Sequence, residues 1–304
     1  MHQKFFNSKY PIICAGMNRV SDIKLALAVR QAGCYPSLVS VNHLVIDSTT
    51  FSPVPNDSTK LKEVMETYYK ETGSSDYILS VSSIILQEWP SMLELIYKYK
   101  PAYLELLDLD GFSDTLFYNL VKKLQDSGIK ILIKILSIDS LSNIEMCKAV
   151  DGVIIKGPKA AGRVNEETKL IDDIKTLKEF RSDWLIIAQG GVYNSKGVKE
   201  LLNAGATAVS MGTIFALSEE SSISNEAKQK ILEASYSDTV KIGQANQVGL
   251  LFSKTEKDVE NNTIGLAKGI RTGTTGHVFV GAAIDHITEI KSVSLIVSEL
   301  TAGL

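Results

Sequence analysis

The sequence predicts an α/β chain built from repeated strand–helix units. Short apolar runs alternate with longer stretches at helical spacing from Tyr10 to Thr213, a pattern that gives a parallel sheet with helices outside it. The stretch 184–215 repeats strand, glycine turn and helix twice in succession. The 304 residues leave room for one large α/β domain with an appendage.

Composition narrows the function classes. Hydrophobic residues make up 44% and charged residues 22% of the chain, enough apolar side chains for a large core and too many for disorder. Net charge is −3 and the basic residues are scattered, so the basic stripe of a nucleic-acid footprint is missing. The three cysteines, Cys14, Cys34 and Cys147, are far apart and lack metal-ligand spacing. An odd count without a signal peptide predicts a reducing cytoplasm. The opening Met1–Asn7 run is too short and polar for a targeting segment. No apolar run approaches the roughly 20 residues of a bilayer span.

The elements follow in order. Tyr10–Ala15 reads as a strand, broken by Gly16-Met17-Asn18. Ser21-Asp22 then caps a helix that Gly33 ends. Pro36–Val41 is the second strand, and the Ser, Thr, Pro, Asn and Asp of 42–60 make a loop. His43 opens that loop, where functional side chains concentrate, although a lone loop histidine is more often solvated. Leu61–Thr72 is helical, Tyr77–Ser82 is the third strand, and Trp89–Lys98 is the next helix. Pro101–Leu107 is the fourth strand. It carries Glu105 within the pattern and Asp108 and Asp110 just past it. A carboxylate there could serve as a base, and Asp110 reads better as solvated.

Asp114–Asp126 is a helix ending at Gly128. In the fifth strand, Lys130–Ile135, alternation puts Leu132 and Lys134 on one face. A lysine near the end of an apolar strand costs desolvation unless it meets an anion; the alternative is snorkelling outwards between helices. Asp151–Lys156 is the sixth strand, and Gly157–Arg163 is its loop. Lys156, Lys159 and Arg163 make this loop cationic, suited to an anion or else an ordinary basic surface.

Trp184–Ala188 forms the next strand, tipped by Gly190-Gly191. A helix over Ser195–Asn203 stops at Gly205, and the strand Thr207–Met211 runs into Gly212-Thr213. Glycines let backbone amides approach an anion closely, and the helix starts that follow add partial positive charge. Two glycine-tipped strand ends in consecutive units, with the Thr213 hydroxyl, point to a phosphate cradle. Past the barrel, 219–304 forms the appendage. It has a helix over Ser222–Ser235, a strand over Thr239–Ile242, a polar loop over 253–263, a glycine-rich run Gly269–Gly281 and a closing helix over Ile287–Leu300.

The run Ile186-Ile-Ala-Gln-Gly-Gly-Val192 with Gly205-Ala-Thr-Ala-Val-Ser-Met-Gly-Thr-Ile-Phe215 resembles the FMN phosphate site of the nitronate monooxygenase (2-nitropropane dioxygenase-like) family. That family also includes FMN-dependent enoyl-acyl-carrier-protein reductases. The resemblance implies a (β/α)8 barrel over 1–218 with FMN at its carboxyl-end face, and a small, mainly helical lid over 219–304. Pro11–Met17 resembles the family's first strand, where Ala15, Gly16 and Met17 would lie against the flavin; Gly16 replaces the usual proline and Cys14 the common glutamine. Ser80 stands near the family's flavin-contacting asparagine. Lys134, Lys156, Gly157, Gly162, Gln189, Gly190, Gly191, Met211, Gly212 and Thr213 complete the implied cofactor set.

The resemblance departs at the sixth loop. The family motif is close to Gln-Gly-x-Glu-Ala-Gly-Gly-His. Aligned on Gly157, Ala161 takes the first glycine of the pair, Lys159 the glutamate and Arg163 the histidine. That histidine usually has the proton-abstraction role, and arginine is a poor base because it stays protonated. Arg163 could still grip a nitronate, carboxylate or phosphate. Gly276-His277 through Gly281 is similar to a lid segment with His277 in place of glutamine, which makes His277 an acid–base candidate beside Arg163 and Lys134.

Three functions follow as expectations. One is an FMN-dependent oxidoreductase of the nitronate type, oxidising a small anionic substrate with O2 as acceptor. A second is an NAD(P)H-dependent enoyl-thioester reductase. The third is a barrel that keeps FMN without catalysis. No nucleic-acid or membrane partner is expected, and a homodimer stays open.

Overall fold

A computed structural model describes residues 6–45, 47, 53–107, 114–142, 149–243, 245–253 and 262–304. Asp108, Asp110 and Cys147 lie outside the described residues.

Eight parallel strands close into a barrel. They are β1 (Ile12–Cys14), β2 (Ser37–Val39), β3 (Ile78–Ser82), β4 (Tyr103–Leu107), β5 (Lys130–Ile135), β6 (Gly152–Lys156), β7 (Leu185–Gln189) and β8 (Ala208–Met211). Each pairs with its sequence neighbour, and β1 pairs with β8 in parallel, Ile12 opposite Val209. The last gap is stitched at Tyr35. Its amide donates to the Ile12 carbonyl at 2.8 Å, and its carbonyl accepts from the Cys14 amide at 2.9 Å.

The helices between them are α1 (Ile23–Gln31), α2 (Thr59–Thr72), α3 (Ser83–Glu88), α4 (Pro90–Tyr99), α5 (Asp114–Asp126), α6 (Leu170–Phe180) and α7 (Ser195–Asn203). Caps set several boundaries. Asp22 accepts from the Leu25 amide at the start of α1, and Asn194 accepts from the Gly197 amide at the start of α7. Two features exceed the sequence reading. The stretch before Pro90 coils as α3, ending at Trp89, because the proline starts a new helix at its first turn. The helix α6 fills a stretch that the periodicity left unassigned.

Side-chain alternation splits the strands into two cores. The outward set packs against the helices, as do Val153, Ile155 and Val209. The inward set fills the amino-terminal half of the barrel with Ile13, Ile78, Tyr103, Leu132, Ile154, Ile187 and Ala208. Phe6 plugs that end, its ring 4.9 Å from Tyr35 and 4.8 Å from Tyr103. The barrel is therefore solid below, and a cavity can exist only at the carboxyl end.

The C-terminal segment carries α8 (Thr213–Ala216), α9 (Asn225–Leu232), α10 (Asn262–Thr272) and α11 (Val293–Leu300). It also contains a three-stranded antiparallel sheet, β9 (Val240–Ile242), β10 (Gln247–Leu251) and β11 (His277–Val278). The segment is mainly helical, as expected from the sequence, with this small sheet added. The glycine-rich run is what permits this. A Cβ on Gly269 would sit 2.0 Å from the His277 carbonyl oxygen, so α10 and β11 meet backbone to backbone. Among the described residues no helix is long and apolar enough to cross a membrane.

Candidate active site

Two residues further along each inward face, the barrel turns polar. Above Ile78 stands Ser80, above Tyr103 Glu105, above Leu132 Lys134, above Ile154 Lys156, above Ile187 Gln189 and above Ala208 Ser210. Of these, Lys134, Lys156, Gln189 and Ser210 form the floor of a cavity of about 700 Å3 at the carboxyl-end face, with Ser80 and Glu105 beneath it, within the range of about 300–1,000 Å3 common for small-molecule sites.

The floor is a charged network. Lys134 pairs with Glu105, and the Ser80 hydroxyl donates to the same carboxylate. Lys134 therefore points inward, which settles the two orientations left open by alternation alone. Glu105 is 1% exposed, so its charge is compensated wholly by protein groups, as burial requires. Lys156 is buried beside them, and its Nζ donates to the Ala161 carbonyl at 2.7 Å. Burial, then the nearby Lys134 and Arg163 charges, push its pKa down to about 7; Glu105 acts in the opposite direction.

The walls are glycine-rich backbone. Gly190 and Gly191 end β7 with φ of +133° and +71°, conformations that side chains resist. A Cβ on Gly191 would lie 2.8 Å from the Lys159 Cβ. Gly212 caps α8, directly on the cavity, where a helix start offers unpaired amides. The other helix start differs from the sequence expectation. The Gly197 amide in the first turn of α7 is served by its own Asn194, three residues beyond Gly191, and it is Gly190, Gly191 and Val192 that line the cavity instead. The Thr213 hydroxyl accepts from the Gly281 amide at 3.0 Å, tying the C-terminal segment to this wall.

Ala15, Gly16 and Met17 line the opposite wall. A Cβ on Gly16 would press on the Ser80 hydroxyl at 2.5 Å, so a small residue is required where β1 passes the network. Cys14 is buried and its thiol pKa is raised far above the usual range by that burial, which leaves it inert.

The structure brings together most of the residues expected from sequence. Ala15, Gly16, Met17, Lys134, Lys156, Gly162, Arg163, Gln189, Gly190, Gly191, Met211, Gly212 and Thr213 all line this cavity. Three expectations are corrected. Ser80 does not line it; its hydroxyl is turned to Glu105 beneath. Gly157 donates its amide to Gln189 at 2.8 Å and packs on Leu170, so it shapes the loop from behind. His277 is fully buried between α10 and β10 and does not reach the cavity. Its strand neighbours Val278 and Phe279 do, so the histidine is no acid–base group of this site. His43 likewise stays off the cavity; burial lowers its pKa to about 4.

The Glu105 partnership was missed by sequence reasoning. Its signal is two inward registers on adjacent strands, β4 and β5, each carrying one charge. The resemblance implied that the C-terminal segment covers the site, but not the residues through which it does so: Gln247, Phe279, Gly281 and Ala283 face the cavity. The loop over 157–163 is held by that segment. Gly162 and Val248 exchange backbone hydrogen bonds at 3.0 and 2.9 Å, and the Ala282 amide donates to the Lys159 carbonyl at 3.0 Å. Glycine walls that admit an anion, a small-residue strand and a cationic floor together could hold a planar, phosphate-bearing cofactor such as FMN.

The family model described as Nitronate monooxygenase matches residues 113–303. The chain belongs to the nitronate monooxygenase family. It is similar to a nitronate monooxygenase of Pseudomonas aeruginosa, with 32% identity over 120 residues, 37% of this chain and 34% of the relative. It is 22% identical over 233 residues to a (3aS,4S,5R,7aS)-5-hydroxy-7a-methyl-1-oxo-octahydro-1H-indene-4-carboxyl-CoA dehydrogenase of Rhodococcus jostii, covering 76% of this chain and 59% of that one. The chain thus spans less than two thirds of the length of either curated relative. FabK of Thermotoga maritima shares the fold, with a TM-score of 0.75, 22% identity, and coverage of 97% of this chain and 92% of that one.

Proposed function

We propose that this family member is an FMN-dependent oxidoreductase of the nitronate type, which oxidises a small anionic substrate with O2 as the electron acceptor. One observation carries the reading: the glycine-lined ends of β7 and β8 and the lysines Lys134 and Lys156 converge on a single cavity. FMN, when bound, supplies the two-electron acceptor. In this reading Gly190, Gly191, Gly212 and Thr213 hold its phosphate, and the backbone of Ala15–Met17 supports its ring. Lys134, fixed by Glu105, offers positive charge to the ring's N1–C2=O edge. Arg163, exposed at the mouth and on the cavity wall, matches a substrate anion with two parallel N–H groups. The barrel over 1–218 holds the cofactor, the segment 219–304 covers it, and the protein works in the cytoplasm.

An anaerobic absorbance titration of the protein purified with its native cofactor tests the reading. The yellow colour is expected to bleach when an alkyl nitronate is added. Bleaching by NADPH alone would make the chain an NAD(P)H-dependent reductase of enoyl thioesters instead. A colourless protein that takes up no FMN would overturn the cofactor assignment.

A further inference from the structure

Lys156 has unusual surroundings for a lysine. Alternation from Ile154 aims it at the barrel axis, and it is buried against the cavity. An ammonium has three protons to donate, yet among the described residues the acceptor that Nζ finds is a single carbonyl, that of Ala161. The carboxylate of the floor, Glu105, is engaged by Lys134 and Ser80. Among the described residues, the other charged groups that line the cavity with Lys156 are Lys134 on β5 and Arg163 and Lys159 on its own loop, all cationic; β7 presents the uncharged Gln189 and β10 the uncharged Gln247. Such a setting favours the neutral amine, which has a lone pair to offer. The downward pKa shift described above agrees with the geometry.

We infer that Lys156 is the proton acceptor of this site, which removes the α-proton of a neutral nitroalkane and so extends the substrate class beyond preformed nitronates. The inference rests on the nitronate-type reading above. In the step, the Cα–H bond breaks and its proton passes to the Nζ lone pair, giving an ammonium. The electron pair left on carbon delocalises into the nitro group, giving the nitronate; no electrons leave the substrate. The neighbours divide the remaining work. Arg163 stays protonated and cannot serve as the base, but its fork fits the two nitro oxygens on which negative charge grows. Lys134 is committed to Glu105. Lys156 thereby supplies, from the strand end, the function lost where Arg163 stands in place of the family's histidine.

The test separates proton transfer from oxidation. FMN-loaded protein is held without O2 in D2O with 2-nitropropane, and loss of the α-proton signal is followed by NMR; oxidation of propane-2-nitronate is measured in parallel. Wild type is expected to accelerate exchange over buffer, with a rate that rises with pH through a midpoint near 7. Lys156→Gln and Lys156→Arg should lose exchange about 100-fold more than they lose nitronate oxidation, in line with a general base. Ethylamine should restore exchange to Lys156→Ala in proportion to its free-base concentration, and FMN retained by each variant reports folding. Nitronate oxidation by wild type without any exchange would overturn the inference and leave the nitronate-type reading standing, as would undiminished exchange in Lys156→Gln. Exchange without nitronate oxidation would support the base and remove the oxidase reading.

Discussion

At the scale of single residues, the site is a problem of charge placed in a dry floor. Burial alone disfavours the charged form of Lys156, and the cations Lys134 and Arg163 add to that, while Glu105 opposes it. Removing each neighbour should therefore move the Lys156 titration in opposite directions. Glu105→Gln removes the opposing charge, so the midpoint should fall below that of wild type; Lys134→Met removes a repelling charge, so it should rise. Acylation of Lys156 by acetic anhydride at a series of pH values, read by mass spectrometry, gives the midpoint without any turnover. Shifts of the same sign in both variants would contradict this account. The sign for stability follows as well. With a folded pKa near 7 and an ordinary unfolded value, the native state binds fewer protons between the two, so stability rises with pH across that window. Little of this was legible from sequence: Lys134 could point either way, and Glu105 was one of three acids near a strand end. The partner across the strand pair decides, and the register that brings it there is a property of the closed barrel.

At the scale of elements, the glycine-tipped strands were legible because strand, glycine and helix each leave a local signature. What the glycines do differs from one to the next. Gly191 needs its positive φ and has no room for a Cβ beside Lys159, whereas Gly212 has an ordinary φ of −105° and would place a Cβ at 3.5 Å from the Met17 sulfur, a normal contact. Gly191→Ala should cost about 1–3 kcal/mol in folding stability through backbone strain, measured by urea unfolding. Gly212→Ala should fold like wild type but weaken FMN binding at least ~10-fold, because the methyl group enters the path of an approaching anion. Equal FMN affinity in Gly212→Ala and wild type would take the phosphate away from β8. The helix after Gly191 starts at Ser195, where the pattern placed it; what the pattern could not show is that its Gly197 amide is taken by the cap, Asn194, rather than offered to a ligand.

At the scale of the whole molecule, the strands of the barrel were readable in order, as were α9, β9 and α11 of the C-terminal segment, while β10, β11 and α10 were not. Its sheet depends on tight backbone approach between α10 and β11, a feature of tertiary packing that leaves only scattered glycines in the sequence. The His277 expectation failed for the same reason, since a histidine in a glycine-rich run reads as exposed until the helix that covers it is known. The segment also fixes the sixth loop. Gly281 packs where a Cβ would lie 2.6 Å from the Lys159 carbonyl oxygen. Gly281→Ala should therefore force the segment off the loop, at a cost of about 1–3 kcal/mol. Limited proteolysis should then open the chain first near residues 157–163, while the far-UV circular dichroism of the barrel stays intact. Unchanged protease resistance of that loop would show that the clamp is not what orders it.

The clamp has a consequence for how the protein is born. A ribosome delivers the sixth strand and its loop well before Val248, Gly281 and Ala282, the residues that hold that loop in shape. The eight strands can pair while the later part of the chain is still in the exit tunnel, yet the pocket has no finished wall until that part emerges. The finished wall thus belongs to the closing moments of synthesis, and a chain cut just past β8 would lack every one of these partners of the sixth loop.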